Sequence, residues 1–180
     1  MLPAPRRITR STSPRLHREI FMSPFDNPFD SGNDPVRHTL WERHMRADID
    51  AFLAGDWAAV ADDFDAARFI ALDAGGSRDP LQWTVGFPNL SAYRDRWLEM
   101  SALTRERADP DKLRRAMFEG ARIARIDFYA EGTALLHKVF DGALPLRDGT
   151  REPYGWQSVF TLVREEGGNW KIVSFVGYLG

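Results

Sequence analysis

Four β-rich runs close the chain: Ala121–Tyr129 (ARIARIDFY), Thr133–Leu144 (TALLHKVFDGAL), Tyr154–Arg164 (YGWQSVFTLVR) and Asn169–Tyr178 (NWKIVSFVGY). Thr, Val, Phe, Tyr and Trp give them strand propensity, and Gly149 and Gly167-Gly168 mark the connections between them, so they read as one antiparallel meander. The residues before them read as helices. A layer of helices followed by a sheet is an α+β plan, in which each layer buries its apolar side against the other. Such a plan leaves room for a pocket between the layers.

Working outward toward the N-terminus, Asp109-Pro110 is a cap followed by the residue best tolerated at the first helical position, and a short helix runs from it to Gly120. A longer helix precedes it, opened by Pro88 with Asn89 or Ser91 and carrying Leu90, Tyr93, Trp97, Leu98 and Leu103 as its apolar stripe. Phe69–Leu72 is a short strand closed by Asp73-Ala74-Gly75-Gly76, and Gln82–Phe87 a second one. Asp34-Pro35 starts the first helix, with Leu40, Trp41, Met45, Ile49, Phe52 and Leu53 at helical spacing until Gly55. Asp56 caps a further short helix bearing Trp57, Val60 and Phe64.

Composition narrows the function classes. With 180 residues and 43% apolar content, one core and a tail are expected, with the domain at 34–180. Residues 1–33, where five arginines face a single glutamate among Pro and Ser, read as a disordered tail. A net charge of -2 with the two signs interspersed predicts neither a nucleic-acid partner nor a membrane-surface one. No apolar run reaches the roughly 18 residues of a membrane helix. The absence of cysteine fits a reducing, cytoplasmic setting. The four histidines lack paired metal-ligand spacing, so no metal site is expected. No phosphate loop, nucleophile elbow or dinucleotide fingerprint is present, which points to chemistry without a cofactor.

Candidate site residues follow from the pattern. In LLHKVF the Lys138 ammonium is expected to face water, which turns Leu135, His137 and Val139 inward and makes His137 a proton carrier at the pocket or a satisfied core histidine. On the next strand the face with Trp156 and Ser158 is expected inward. Asp73 is either a desolvated base or the side chain that closes its own turn. His44 and Asp48, four residues apart, share a helix face as a pocket dyad or as a surface pair. Trp41, Trp83, Tyr93 and Trp156 are the aromatic candidates for a pocket wall.

The order helix, helix, strand, turn, helix and long meander, with LAGDW before the second helix and NWKIVSFV near the end, resembles the nuclear-transport-factor-two-like superfamily over Asp34–Gly180. SnoaL-like polyketide cyclases, ketosteroid isomerases, scytalone dehydratases and limonene epoxide hydrolases belong to it. The resemblance implies a cone-shaped α+β barrel, a curved antiparallel sheet wrapped around the N-terminal helices, an apolar cavity at the open end, and homodimers formed through the outer sheet face. It places Asp73 near the general base of the isomerases and Asp48 where those carry a hydroxyl donor. His137 resembles a strand histidine of the dehydratases, and Ser158 lies near their strand Ser/Asn pair. The expected function is cofactor-free acid-base chemistry on a small apolar, oxygenated molecule: isomerisation, dehydration, cyclisation or epoxide opening. The alternative is a non-catalytic module of the same fold that binds a small ligand or dimerises.

Overall fold

The structure, a computed structural model, describes residues 23–180. Helix α1 (Pro35–Trp41), a π-helical stretch (Glu42–Ala47) and α2 (Asp48–Ala54) follow one another without a break. Asp34 starts this rod by accepting from the Arg37 amide, and Gly55 ends it in the left-handed conformation at φ 69°. Then come α3 (Ala58–Ala61), β1 (Ile70–Asp73), β2 (Thr84–Phe87), α4 (Leu90–Arg107), α5 (Pro110–Glu119), β3 (Ala121–Tyr129), β4 (Thr133–Pro145), β5 (Arg151–Arg164) and β6 (Trp170–Leu179). The caps read from sequence act as expected, since the Asn89 side chain accepts from the Ala92 amide and Asp109 from the Asp111 amide.

The six strands form one sheet in the order β2-β1-β6-β5-β4-β3. All neighbours are antiparallel except β1 and β6. Bulges between Ile123 and Arg125, between Gln157 and Val159 and between Thr161 and Leu162 bend the long strands. The result is a curved, unclosed sheet beneath the helices, an α+β cone.

Leu40 from the first helix enters the core with Ala71, Phe87, Ile126, Ala134, Leu136, Leu162, Ile172 and Phe175 of the sheet. Trp41, Met45 and Ile49, on the same stripe, pack against Phe118 and Ala121. The helical rod therefore lies along the concave face, and whatever that face presents beyond the core meets the rod's residues.

Contacts also reach the rod from before Asp34: Phe25 lies 4.9 Å from the Phe118 ring, Phe29 reaches the core, and the Asn27 amide donates to the His38 carbonyl and to Glu42. Residues 1–22 of the expected tail lie outside the described residues. One expectation requires correction, that for β4, where the alternation runs the other way. Ala134, Leu136, Lys138 and Phe140 face the helices, whereas His137 lies on the outer face and shares a 2.7 Å hydrogen bond with Gln157. Three apolar partners on the inner face outweigh the cost of turning one lysine inward, because that lysine finds two oxygen acceptors there.

Candidate active site

A cavity of about 320 Å³ opens between α2, α4 and the inner sheet face. Its walls are mostly apolar and aromatic, with Phe52, Trp97, Met100, Met117, Phe140, Trp156 and Phe175 among them. Phe140 and Trp156 stack with centroids 4.6 Å apart, and Tyr178 lies 6.0 Å from Trp156. Tyr178 holds φ at 56°, an uncommon backbone angle for a residue with a side chain, and it lines the same wall.

The polar centre of the site is built by the π-helical stretch. In a regular α-helix the Asp48 amide would donate to the His44 carbonyl; here it donates to the Arg43 and Met45 carbonyls instead. The His44 carbonyl accepts from Lys138 Nζ at 2.7 Å, and the same ammonium donates to Asp48 Oδ2 at 2.7 Å. The Lys138 side chain is only 2% exposed, while that of Asp48 is 36% exposed and lines the cavity. The ammonium also sits 5.0 Å from the Phe140 ring centroid. A buried cation with a carboxylate, a carbonyl and a ring face around it satisfies the rule that buried charge must be paired and hydrogen-bonded.

Hydroxyl groups converge near this pair. Tyr93 is held by five aromatic neighbours, with Phe175 closest at 5.0 Å, yet its hydroxyl has no hydrogen-bond partner among the described residues. Burial, with the negative charge of Asp48 adding to it, holds the phenol well above its usual range, so it remains an O–H donor. Ser158 pairs directly with Lys138 across β4 and β5 and also faces the cavity. Toward the rim, Arg107 at the end of α4 forms an ion pair with Glu152 of β5.

Of the candidates from sequence, Asp48, Tyr93, Trp156 and Ser158 meet at the cavity. His44 is buried beside Asp48 but lines a smaller chamber behind it. Its imidazole is lowered to about 4, first by burial and then by the charges of Lys138 and Arg43, against an opposing pull from Asp48. His137 stands on the opposite face of the sheet. Asp73 closes its turn by accepting from the Gly75 amide at 2.7 Å, the simpler of its two expected roles. Trp41 is buried against Met45 and Ile49, and the Trp83 indole donates to the Ser77 carbonyl. Neither lines the cavity.

Lys138 was missed because its acceptors lie 90 and 94 residues away in the chain. The local signal was the apolar series Ala134, Leu136, Phe140 in register with it. Among the described residues no group of His, Asp or Glu is arranged to hold a metal, and no helix is long and apolar enough to cross a membrane.

Solved structures share this architecture. Aln2 from a Streptomyces species superposes with a TM-score of 0.52 at 12% identity, over 78% of this chain and 87% of its own. An NTF2-like protein of unknown function from Pseudomonas putida gives 0.50 at 14% identity, over 77% and 83%. The fold is nuclear transport factor two-like. A third structure, the association domain of C. elegans CaMKII, gives 0.50 at 11% identity, over 83% of this chain and 99% of its own. No family model and no curated protein sequence matches the chain. At identities this low the superpositions show the fold alone and leave the chemistry to the residues of the cavity.

Proposed function

We propose that this chain is a cofactor-free enzyme that moves a proton on a small apolar, oxygenated molecule held in the aromatic cavity, with Asp48 as the proton carrier. The observation behind this is the Asp48–Lys138 pair facing that cavity beside the hydroxyls of Tyr93 and Ser158. An open carboxylate can accept a proton from carbon next to a carbonyl, or from water. Negative charge then develops on the substrate oxygen, where the Lys138 ammonium and the two hydroxyls supply fixed positive dipoles; losing one such donor costs about 10²–10³ in rate. Isomerisation, dehydration and ring closure share this step, and epoxide opening would have Asp48 take a proton from the attacking water while the Tyr93 hydroxyl gives one to the oxygen released as the C–O bond breaks. The proton-carrying role thus passes from His137 and Asp73 to Asp48, with Lys138 as its partner and Trp156 shaping the cavity.

The test is a screen of cyclic enones, hydroxyketones and polycyclic phenols, first by thermal shift and then by turnover in deuterated water. For a compound that is turned over, Asp48→Asn should lower kcat by about 10²–10⁴. Tyr93→Phe should lower it too without lowering Tm, because the ring contacts remain. An Asp48→Asn protein with the wild-type rate on that compound would show the assignment to be wrong.

A non-catalytic ligand-binding module is the second reading, favoured by the two donors that Lys138 already spends on protein oxygens. Under it the screen yields ligands and no turnover. Either way we propose a homodimer through the outer sheet face, where Leu135, Val139, Val159 and Val163 surround the His137–Gln157 bond. Sedimentation of the wild type against Val159→Glu tests it; two monomeric proteins would rule it out.

A further inference from the structure

A second chamber of about 30 Å³ adjoins the Asp48–Lys138 pair. Asp48, Tyr93, Lys138 and Phe160 belong to the walls of both spaces, while His44, Val60 and Asp63 line only the smaller one. Its size suits one water, which needs roughly 10–15 Å³ and several polar partners, and this wall supplies carboxylates, an imidazole and an ammonium rather than hydrocarbon alone. His44 is 8% exposed, and neither nitrogen of its ring has a hydrogen-bond partner among the described residues, although the ring lines the chamber. Asp63 is also buried, and its Oδ1 accepts from Arg43 Nε at 2.7 Å, the Arg43 side chain being 41% exposed. The Asp63 backbone is fixed by the Ile172 amide, which donates to its carbonyl at 2.7 Å. The proton chemistry assigned to the main cavity uses neither residue.

We propose that the chamber holds one ordered water bonded to the His44 ring, and that this water passes protons between Asp48 and Asp63, which makes a proton path from Asp48 to the surface at Arg43. Its purpose rests on Asp48 being the proton carrier, but the path itself is a physical property of the folded chain. A protonated Asp48 gives its proton to the water oxygen as the water gives one of its own to the Asp63 carboxylate, and Asp63 loses it to solvent, while a free nitrogen of the neutral His44 ring holds the water in place. One proton crosses, only O–H bonds change, and the water and the ring end as they began.

The electrostatics suit these roles. Burial, with Lys138 and Arg43 nearby, keeps His44 neutral at pH 7, so one ring nitrogen accepts while the other donates. Asp63 is pushed up to about 6 by burial and by Asp48 and Asp62, against the lowering effect of Arg43, close enough to neutrality to hold and release a proton.

The test needs no substrate. A crystal structure at atomic resolution should show a water in the chamber bonded to His44. In protein labelled with ¹⁵N-histidine, the His44 ring proton should exchange with solvent faster in the wild type than in Val60→Leu, which fills the chamber without removing a polar group, by a factor on the order of tenfold or more. Asp63→Asn, which keeps the side-chain shape, should slow the exchange likewise and decides the matter if Val60→Leu does not fold. A dry chamber, or a wild-type exchange rate matched by the variants, overturns the path and leaves the role of Asp48 standing. Conversely, undiminished turnover by Asp48→Asn would remove that role and leave the path intact.

Discussion

Removing the Asp48 carboxylate should cost more stability than removing the Lys138 ammonium. Asp48→Ala leaves a cation that is 2% exposed with only the His44 carbonyl and the Phe140 ring for partners. Stranding one member of a buried pair costs about 3–5 kcal/mol. Lys138→Met leaves a carboxylate whose side chain is 36% exposed and still opens to the cavity, so the main loss is the unsatisfied His44 carbonyl, about 1–3 kcal/mol. The double variant removes the charge together with its partner and should be less destabilised than the sum of the two by about 1–3 kcal/mol. Urea unfolding of the four proteins at one pH, with m-values compared to confirm a common transition, measures this cycle. Additivity within about 0.5 kcal/mol would mean that the two groups do not interact in the folded protein, and the polar centre of the site would have to be rebuilt.

Two further outcomes follow from the same structure. His44 falls from 6.5 in the unfolded chain to about 4 when folded, so between those values the unfolded state binds more protons and stability rises with pH. Asp63, raised from 3.8 to about 6, works in the opposite sense and loses its contribution as pH rises through 6. Urea midpoints of wild type and His44→Leu at pH 4.5 and 7 should therefore show the variant gaining less on the way up, by about 2 kcal/mol; equal gains would mean that His44 is not buried neutral. Gly142→Ala places a methyl group 2.8 Å from the Tyr154 hydroxyl and 2.9 Å from Gly120 Cα, where α5 turns into β3. A loss of about 1–3 kcal/mol in thermal unfolding is expected, and an unchanged Tm would contradict the close approach of these two backbones.

The layout of the chain was legible because it rests on local rules. Asp34, Asn89 and Asp109 cap helices by hydrogen bonds spanning two or three residues, Gly55 ends α2 through its own backbone freedom, and the four long strands are closed by turns whose glycines can be counted. Trp156 and Ser158 were placed on the correct wall because their strand alternates with Gln157, Val159 and Thr161. The contacts of Phe25 and Phe29 were not legible, since composition describes the average solvation of a segment and not two aromatic rings that find a partner.

The site divided along the same line. Asp48, Tyr93, Trp156 and Ser158 belonged to the expected set, but the inward residue of β4 was assigned from the hydration of a lysine considered alone. What the sequence determined by itself was the order of the elements, their ends and the α+β class, all properties of residues within a few positions of one another. Which face of β4 looks inward, that the π-helical stretch frees the His44 carbonyl, and that a lysine 90 residues from Asp48 completes a buried pair were decided only by the tertiary structure. The physical reason is that burying a charge is unfavourable until its partners are present, and those partners are brought together only by the packing of the helical rod across the sheet.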